Sequence, residues 1–224
     1  MGQVLLVRHG QASWDGEDYD VLSERGHEQG RLLGKALAAR GIRPGLVVSG
    51  GMRRHRETVE NVVAAAGLGS VSVEVDPGWD EYDHVSMLAQ VPTSFAGEKP
   101  TAAEFQAWME QATDRWIRGE NAEDAGPDAV RVEPFAAFTA RVDAALRRTV
   151  GGAGGTTLVL SSGGPISWVT ATLLGGGAAL WGRLNVVCVN TGVTKLVTGR
   201  RGLTLVSFNE HTHLEGEPEM LTYR

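Results

Sequence analysis

Short apolar runs alternate with amphipathic segments along this chain, and this alternation constrains the fold more than any other feature. Residues 4–7, 46–48 and 157–161 have the continuous apolar pattern of strands that are buried on both faces. Segments with helical periodicity lie between such runs, which favours a mostly parallel sheet. We therefore predict an α/β fold of three layers, with helices on both faces of a central sheet.

Apolar spacing and end signals place the other elements. Helices are predicted over 23–41, 52–66, 102–118, 135–150 and 165–174. An edge strand is predicted over 71–75, and further strands over 186–190, 194–198 and 203–208, of which the last two form an antiparallel hairpin.

The chain, 1–224, is predicted to form one domain. The less regular stretch 82–134 is predicted to be an insertion, either a cap over a site or surface decoration.

Charge and composition narrow the classes of partner. The chain has 21 Lys and Arg against 27 Asp and Glu, a net charge of −6, which argues against nucleic acid or an anionic membrane as the main partner. No signal peptide and no apolar run near the ~20 residues needed to span a bilayer is found, so we expect a cytoplasmic protein. A small anionic ligand in a local basic pocket stays open, as does a homodimer. The single cysteine, Cys188, is expected to be a buried core residue.

Ligands of parallel sheets bind beyond the carboxyl ends of the strands, so the turns that follow the strands hold the candidate site residues. Arg8 and His9 directly follow a buried strand, where charged groups are costly unless they are used or paired. Arg54 lies where a helix opens, a position that suits an anion. Ser162 and Gly163 follow another buried strand, and the glycine exposes an N–H group to a ligand. The alternatives are an ordinary salt bridge at Arg8 and an ordinary strand-to-helix turn at Ser162.

A carboxylate and a histidine pair complete the set of candidates. Glu81 follows Trp79, and an aromatic neighbourhood raises the pKa of a carboxyl group and suits it to general acid catalysis. Asp80 and other nearby carboxylates compete for that role. His211 and His213 have strand spacing for two metal ligands, but no third ligand stands at a recognisable spacing. We therefore predict neither a metal nor another cofactor.

Taken together, these segments resemble the histidine phosphatase superfamily, also called the phosphoglycerate mutase-like family. The resemblance runs, in the order of the family's motifs, through residues 5–14, 22–30, 52–58 and 161–166. It implies that His9 is the nucleophile that takes the phosphoryl group, that Arg8 and Arg54 hold the phosphate oxygens, and that Glu81 protonates the leaving oxygen and then helps to activate water. Phosphohistidine chemistry of this kind needs no metal.

The chain departs from the family pattern at one catalytic position. Ser162 stands where the family has a second histidine, which binds phosphate beside the nucleophile. A hydroxyl group donates a hydrogen bond but carries no charge. Three outcomes stay open: Ser162 suffices for a slower phosphatase, another histidine such as His55, His84 or His211 fills the space, or the chain binds phosphate compounds without turning them over.

The sequence thus predicts a hydrolase that acts on a small phosphomonoester through a phosphohistidine on His9. Arg8, Arg54, Ser162 and Gly163 are the predicted phosphate-binding residues, and Glu81 is the second catalytic residue. The alternatives are a non-catalytic binder of phosphorylated ligands with the same fold and a phosphoglycerate mutase-type phosphotransferase.

Overall fold

The computed structural model describes residues 2–13, 20–92, 100–120, 132–152, 154–200 and 202–223. Residues 93–99 and 121–131 of the predicted insertion lie outside the described residues, and so does Trp14, the last residue of the first family-like segment.

Six strands form one sheet in the part of the chain that the structure describes. Their order is β3-β2-β4-β1-β5-β6. The bounds are Gly2–Arg8 for β1, Leu46–Ser49 for β2, Ser72–Val75 for β3, Thr156–Ser161 for β4, Val193–Gly199 for β5 and Gly202–Glu210 for β6. Strands β3, β2, β4 and β1 pair in parallel, whereas β5 is antiparallel to both β1 and β6. The predicted mostly parallel sheet with an antiparallel C-terminal hairpin is confirmed.

The described residues form seven helices. They are α1 (Glu24–Ala39), α2 (Arg53–Ala65), α3 (His84–Ala89), α4 (Ala102–Ile117), α5 (Phe135–Gly152), α6 (Gly163–Leu173) and α7 (Gly177–Asn185). Ser23 caps α1 by accepting a hydrogen bond from the backbone N–H of Gly26, and α1 ends before Gly41, which has a φ of +67°. Among the described helices, none is long and apolar enough to cross a bilayer.

The core lies on both faces of the sheet. Leu5 and Val7 of β1 pack with side chains of α1 and α2, among them Leu33 and Val62. Because side chains alternate along a strand, Leu6 points to the opposite face, and it is fully buried there. Helix α6 packs against β1 and β6 and helps to cover that face. Each such apolar side chain contributes roughly 1.5–3 kcal/mol by its burial.

The prediction of a strand over 186–190 is wrong. These residues form a turn and an irregular segment after α7, a helix that the sequence analysis did not predict. Val186 and Val187 are exposed, whereas the following Cys188, Val189 and Asn190 are buried. The apolar run therefore changes environment halfway, which an unbroken hydrophobic pattern does not reveal. Cys188 is buried as expected, and its burial raises the pKa of the thiol to about 11.

The chain divides into two compact units. The sheet belongs to the unit formed by Met1–Glu81 and Val142–Arg224, and the second unit is Tyr82–Arg141. In the second unit, the ring of Trp116 packs in a tilted arrangement against Tyr82 at a centroid distance of 4.7 Å and against Phe138 at 5.4 Å. That the stretch 82–134 covers a site stays a prediction.

Candidate active site

His9 is fixed by backbone contacts at the carboxyl end of β1. Its N–H donates to the carbonyl of Ser161 at 2.8 Å, and its carbonyl accepts from Asn190 Nδ2 at 3.0 Å and from the N–H of Thr191 at 3.3 Å. Thr191 has a φ of 59°, in the left-handed region that a β-branched residue rarely adopts. Such backbone strain persists only where the surroundings enforce it, which is common at functional sites.

The imidazole of His9 is held in one tautomer. Its Nδ1 lies 2.7 Å from the carbonyl oxygen of Gly10. A carbonyl only accepts, so Nδ1 carries the proton and Nε2 keeps its lone pair. Burial lowers the pKa of His9 well below its usual value of 6.5, and the charges of Arg54 and Arg8 lower it further. The ring is therefore neutral near pH 7, with a nucleophilic nitrogen.

Glycine at position 10 allows this turn to approach α1. A Cβ on Gly10 would lie 2.4 Å from the carbonyl oxygen of Gly26. The N–H of Gly10 donates to Thr58 Oγ1 on α2 at 3.0 Å. The turn that carries His9 is thus fixed between α1 and α2.

Arg54 is almost fully buried in the first turn of α2, and a carboxylate neutralises part of its charge. Its Nη1 lies 2.8 Å from Asp20 Oδ1. The other oxygen of Asp20 accepts from the backbone N–H of Arg53 at 2.7 Å. One carboxylate therefore contacts both the guanidinium and the helix N-terminus, two groups that suit a phosphate.

Arg8, the last residue of β1, lies beside the start of α6. Its Nη1 donates to the carbonyls of Cys188 and Tyr223. Its Nε is buried and has no hydrogen-bond partner among the described residues, and a Cβ on Gly163 would lie 3.7 Å from it. A buried donor of this kind costs roughly 1–3 kcal/mol until an acceptor meets it.

Ser162 and Gly163 form the turn from β4 into α6, and both are buried. Ser162 Oγ lies 2.7 Å from His55 Nε2. The next residue, Gly164, donates its N–H to Glu81 Oε2 at 3.2 Å. The predicted general acid Glu81 therefore reaches the N-terminus of α6, beside the predicted phosphate-binding turn.

His55 is the histidine that lies next to Ser162. It is fully buried on α2, and its ring centroid is 5.6 Å from that of His9. Its Nδ1 lies 3.7 Å from Asp80 Oδ1, which is too long for a hydrogen bond. A Cβ on Gly50 would lie 2.1 Å from that nitrogen, so a glycine is needed where the ring packs.

The other histidines have different surroundings. His211 Nδ1 lies 2.7 Å from the carbonyl of Asn209, and His213 Nε2 lies 3.0 Å from Thr191 Oγ1. His84 begins α3 in the Tyr82–Arg141 unit. No group of three or more His, Cys, Asp or Glu side chains in the described ranges is placed to hold a metal.

Three contacts at the site were not predicted from the sequence. Asp20 meets Arg54 across 34 residues, and Asn190 reaches the His9 carbonyl across 181. Asn190 also accepts from Thr222 Oγ1 at 2.9 Å, which connects the C-terminal segment to the His9 turn. Local patterns carry no signal for such distant pairs. Asp80 was considered only as a rival of Glu81, not as the carboxylate that faces His55.

The comparisons with known proteins identify one family. A family model described as the histidine phosphatase superfamily (branch 1) matches residues 4–211. The chain is 26% identical over 136 residues to the 2,3-bisphosphoglycerate-dependent phosphoglycerate mutase of Chelativorans sp. (strain BNC1), covering 58% of this chain and 62% of that protein. The chain spans about three fifths of the length of the curated relatives it matches.

Solved structures share the fold at low identity. A phosphoserine phosphatase mutant from Entamoeba histolytica, in complex with phosphoserine, has a TM-score of 0.65 at 19% identity and covers 96% of this chain and 100% of that chain. A mycobacterial glucosyl-3-phosphoglycerate phosphatase has a TM-score of 0.64 at 22% identity, covering 95% and 100%. At this identity the likeness concerns the fold alone.

Proposed function

The chain belongs to the histidine phosphatase superfamily, and from this premise we propose that it hydrolyses a small phosphomonoester through a phosphohistidine on His9. The observation that carries the proposal is the tautomer of His9. Its Nδ1–H is held by the carbonyl of Gly10, and the ring is neutral, so the lone pair on Nε2 is available.

Fixed positive charge beside this nitrogen supports the proposal. The charges of both Arg8 and Arg54 act on His9, and the start of α6 lies next to Arg8. Phosphoryl transfer requires in-line positioning and charge around the three non-bridging oxygens. In the proposed complex, the buried Nε of Arg8 gains an acceptor, and the phosphate displaces Asp20 from Arg54.

The first proposed step forms the phosphohistidine. Nε2 of His9 attacks phosphorus while the ester P–O bond breaks, and Glu81 gives its proton to the departing oxygen as the free alcohol leaves. In the second step the Glu81 carboxylate takes a proton from a water molecule as that water attacks phosphorus. The P–N bond breaks, inorganic phosphate leaves, and both His9 and Glu81 return to their starting states.

A mutase is the second candidate, because curated relatives carry that name. A mutase returns the phosphoryl group from the histidine to an organic acceptor, whereas a phosphatase passes it to water. Incubation with a phosphoglycerate and its bisphosphate separates the two: isomerised phosphoglycerate identifies the mutase, and release of inorganic phosphate identifies the phosphatase.

The direct test is hydrolysis of an aryl phosphate without added metal by the wild-type chain, His9→Ala and a control, His27→Ala on α1. We expect His9→Ala to lose at least about 10³-fold in kcat and the control to keep its rate. Quenching in alkaline detergent should trap a base-stable, acid-labile phosphoprotein only where His9 is present. Phosphate binding that depends on Arg8, without turnover of any phosphomonoester tested, would instead identify a non-catalytic binder.

A further inference from the structure

Two fully buried polar side chains contact each other beside the proposed nucleophile. His55 Nε2 and Ser162 Oγ are 2.7 Å apart, and the rings of His55 and His9 are separated by 5.6 Å. His55 comes from the first turn of α2, and Ser162 lies at the start of α6. A phosphoryl group on His9 therefore arrives between two helix N-termini, on the side where this pair lies.

The protonation state of His55 determines whether the Ser162 hydroxyl can donate a hydrogen bond to an anion. If His55 is neutral with its proton on Nδ1, its Nε2 accepts the hydroxyl proton of Ser162, and only oxygen lone pairs face the pocket. If both nitrogens are protonated, Nε2 donates to Ser162 Oγ and the hydroxyl proton is free to point elsewhere. An anion favours the second arrangement.

We propose that His55 is the positioning residue for Ser162: when a phosphoryl group is bound, His55 takes up a proton and donates from Nε2 to Ser162 Oγ, and Ser162 donates its own proton to a phosphoryl oxygen. The added proton comes from solvent and binds Nε2, while the proton that neutral His55 already carries on Nδ1 faces the Asp80 carboxylate. This inference rests on the proposed function for the nature of the ligand, a tetrahedral oxyanion.

The geometry around Nδ1 supports this assignment. The nitrogen is buried, it has no hydrogen-bond partner among the described residues, and Asp80 Oδ1 lies 3.7 Å away. Asp80 is itself held by the backbone N–H of Gly51. Because Asp80 is already held here, only a small shift is needed for its carboxylate to accept a hydrogen bond from Nδ1 of a charged His55.

The charged and titratable groups that face His55 come from several elements. His9 faces it from the turn after β1, Arg54 precedes it on α2, Asp80 faces it from the segment after β3, and Asp20 acts from the segment before α1. In the free protein, burial lowers the pKa of His55; Arg54 lowers it further, while Asp80 and Asp20 raise it. A bound dianion adds negative charge to this group and raises the pKa, so binding is coupled to proton uptake.

The test is binding of tungstate, a tetrahedral dianion that does not titrate between pH 6.5 and 8.5. Its affinity is measured by calorimetry for the wild-type chain, His55→Gln and the control His27→Ala. Glutamine keeps a donor toward Ser162 but cannot become charged. We expect wild-type affinity to fall by up to about tenfold per pH unit as the pH rises. His55→Gln should bind about tenfold more weakly at pH 6.5 and lose most of this pH dependence.

A swap of the two side chains tests position as well as charge. Ser162→His alone should bind tungstate poorly, because a ring at 162 collides with His55, whose Nε2 is 2.7 Å from the serine oxygen. The double variant His55→Ala with Ser162→His should recover affinity and pH dependence relative to His55→Ala. If His55→Ala does not fold, the comparison of His55→Gln with the wild type still decides the matter.

The outcomes separate this inference from the proposed function. Equal tungstate affinity and equal pH dependence in the wild type and His55→Gln overturn the inference, even if aryl phosphate is hydrolysed. The expected tungstate pattern without hydrolysis of any phosphomonoester keeps the inference and overturns the proposed function. A wild-type chain that does not bind tungstate overturns both.

Discussion

At the scale of single residues, Asp20 occupies two groups that the proposed phosphate ligand would use. Its two oxygens contact Arg54 Nη1 at 2.8 Å and the backbone N–H of Arg53 at 2.7 Å. A phosphate that uses the same groups must first displace this carboxylate, and the displacement reduces the observed affinity. Arg54 is 4% exposed, so the competing contact is shielded from solvent on the arginine side.

We therefore expect Asp20→Asn to bind tungstate more tightly than the wild type, by about 3–10-fold, because a neutral amide competes less well for the guanidinium. Competition against aryl phosphate hydrolysis, or calorimetry, measures the change. Glu28→Gln, which removes a partly exposed carboxylate paired with Arg31, is the matched control and should have no effect. Weaker binding by Asp20→Asn would show that Asp20 orients Arg54 for the ligand rather than competing with it.

At this scale the sequence indicated which polar residues would lie close together at the ends of neighbouring strands. Arg8 ends β1 and His9 directly follows it, and Ser162 directly follows β4, so the parallel register of these strands brings the three residues together. Asp20 and Asn190 could not be predicted in the same way. Their contacts join segments far apart in the chain, and an ordinary polar residue in a loop carries no local mark of its partner.

At the scale of elements, the N-terminus of α1 packs against the turn that carries His9. A Cβ on Gly26 would lie 2.2 Å from the carbonyl oxygen of Gln11, and one on Gly10 would lie 2.4 Å from that of Gly26. In both cases the obstacle is backbone, which cannot rotate away as a side chain can. The approach of α1 to the His9 turn therefore depends on two glycines that face each other.

Gly26→Ala should lower the free energy of unfolding by about 1–3 kcal/mol, the usual cost of overpacking, and should also lower kcat by displacing the His9 turn. Gly182→Ala is the matched control: Gly182 lies inside α7, and a Cβ there meets nothing within 4 Å. The control should be neutral or stabilising by up to about 1 kcal/mol. Urea unfolding measures both. Equal effects of the two substitutions would contradict the close contact.

Elements with strong periodicity and clear end signals were predicted, and those without them were missed. Helix α1 combines a Ser23 cap, an apolar stripe and a final Gly41, and its predicted bounds agree with the structure. Helix α7 begins after Gly175 and Gly176, residues with poor helix propensity, and it packs closely with α6. Tertiary packing rather than local preference stabilises α7, so the sequence pattern alone did not reveal it.

At the scale of the whole molecule, buried neutral histidines should make the stability of the fold decrease as the pH falls. Burial lowers the pKa of His9, His55 and His213, in the last case to about 4. Below pH 6.5 these three histidines bind more protons in the unfolded chain than in the folded chain. Their contribution is therefore fully present above pH 6.5 and is lost as the pH falls toward the folded values. Partial burial raises the pKa of the Asp76 carboxyl, but its salt bridge to Arg148 lowers it by more. The stability that this salt bridge contributes is lost only below about pH 4.

We therefore expect the histidines to cause the fall in the free energy of unfolding between pH 6.5 and pH 4. For His213 alone, the lowered pKa corresponds to about 2–3 kcal/mol of stability lost between pH 7 and pH 4.5. We expect His213→Asn to unfold at lower urea concentration at pH 7, because it loses the contact with Thr191. The same variant should show a smaller loss of stability as the pH falls, since asparagine does not titrate.

Urea unfolding of the wild type and His213→Asn at several pH values between 4.5 and 8 measures both effects. His27→Ala, which removes a partly exposed histidine, controls for the loss of any imidazole. If the free energies of the wild type and His213→Asn run parallel over this range, His213 titrates alike in the folded and unfolded chains. A loss of stability in this range is then expected from His9 and His55, and a saturating phosphate analogue, whose negative charge raises the pKa of these histidines in the folded chain, should reduce it.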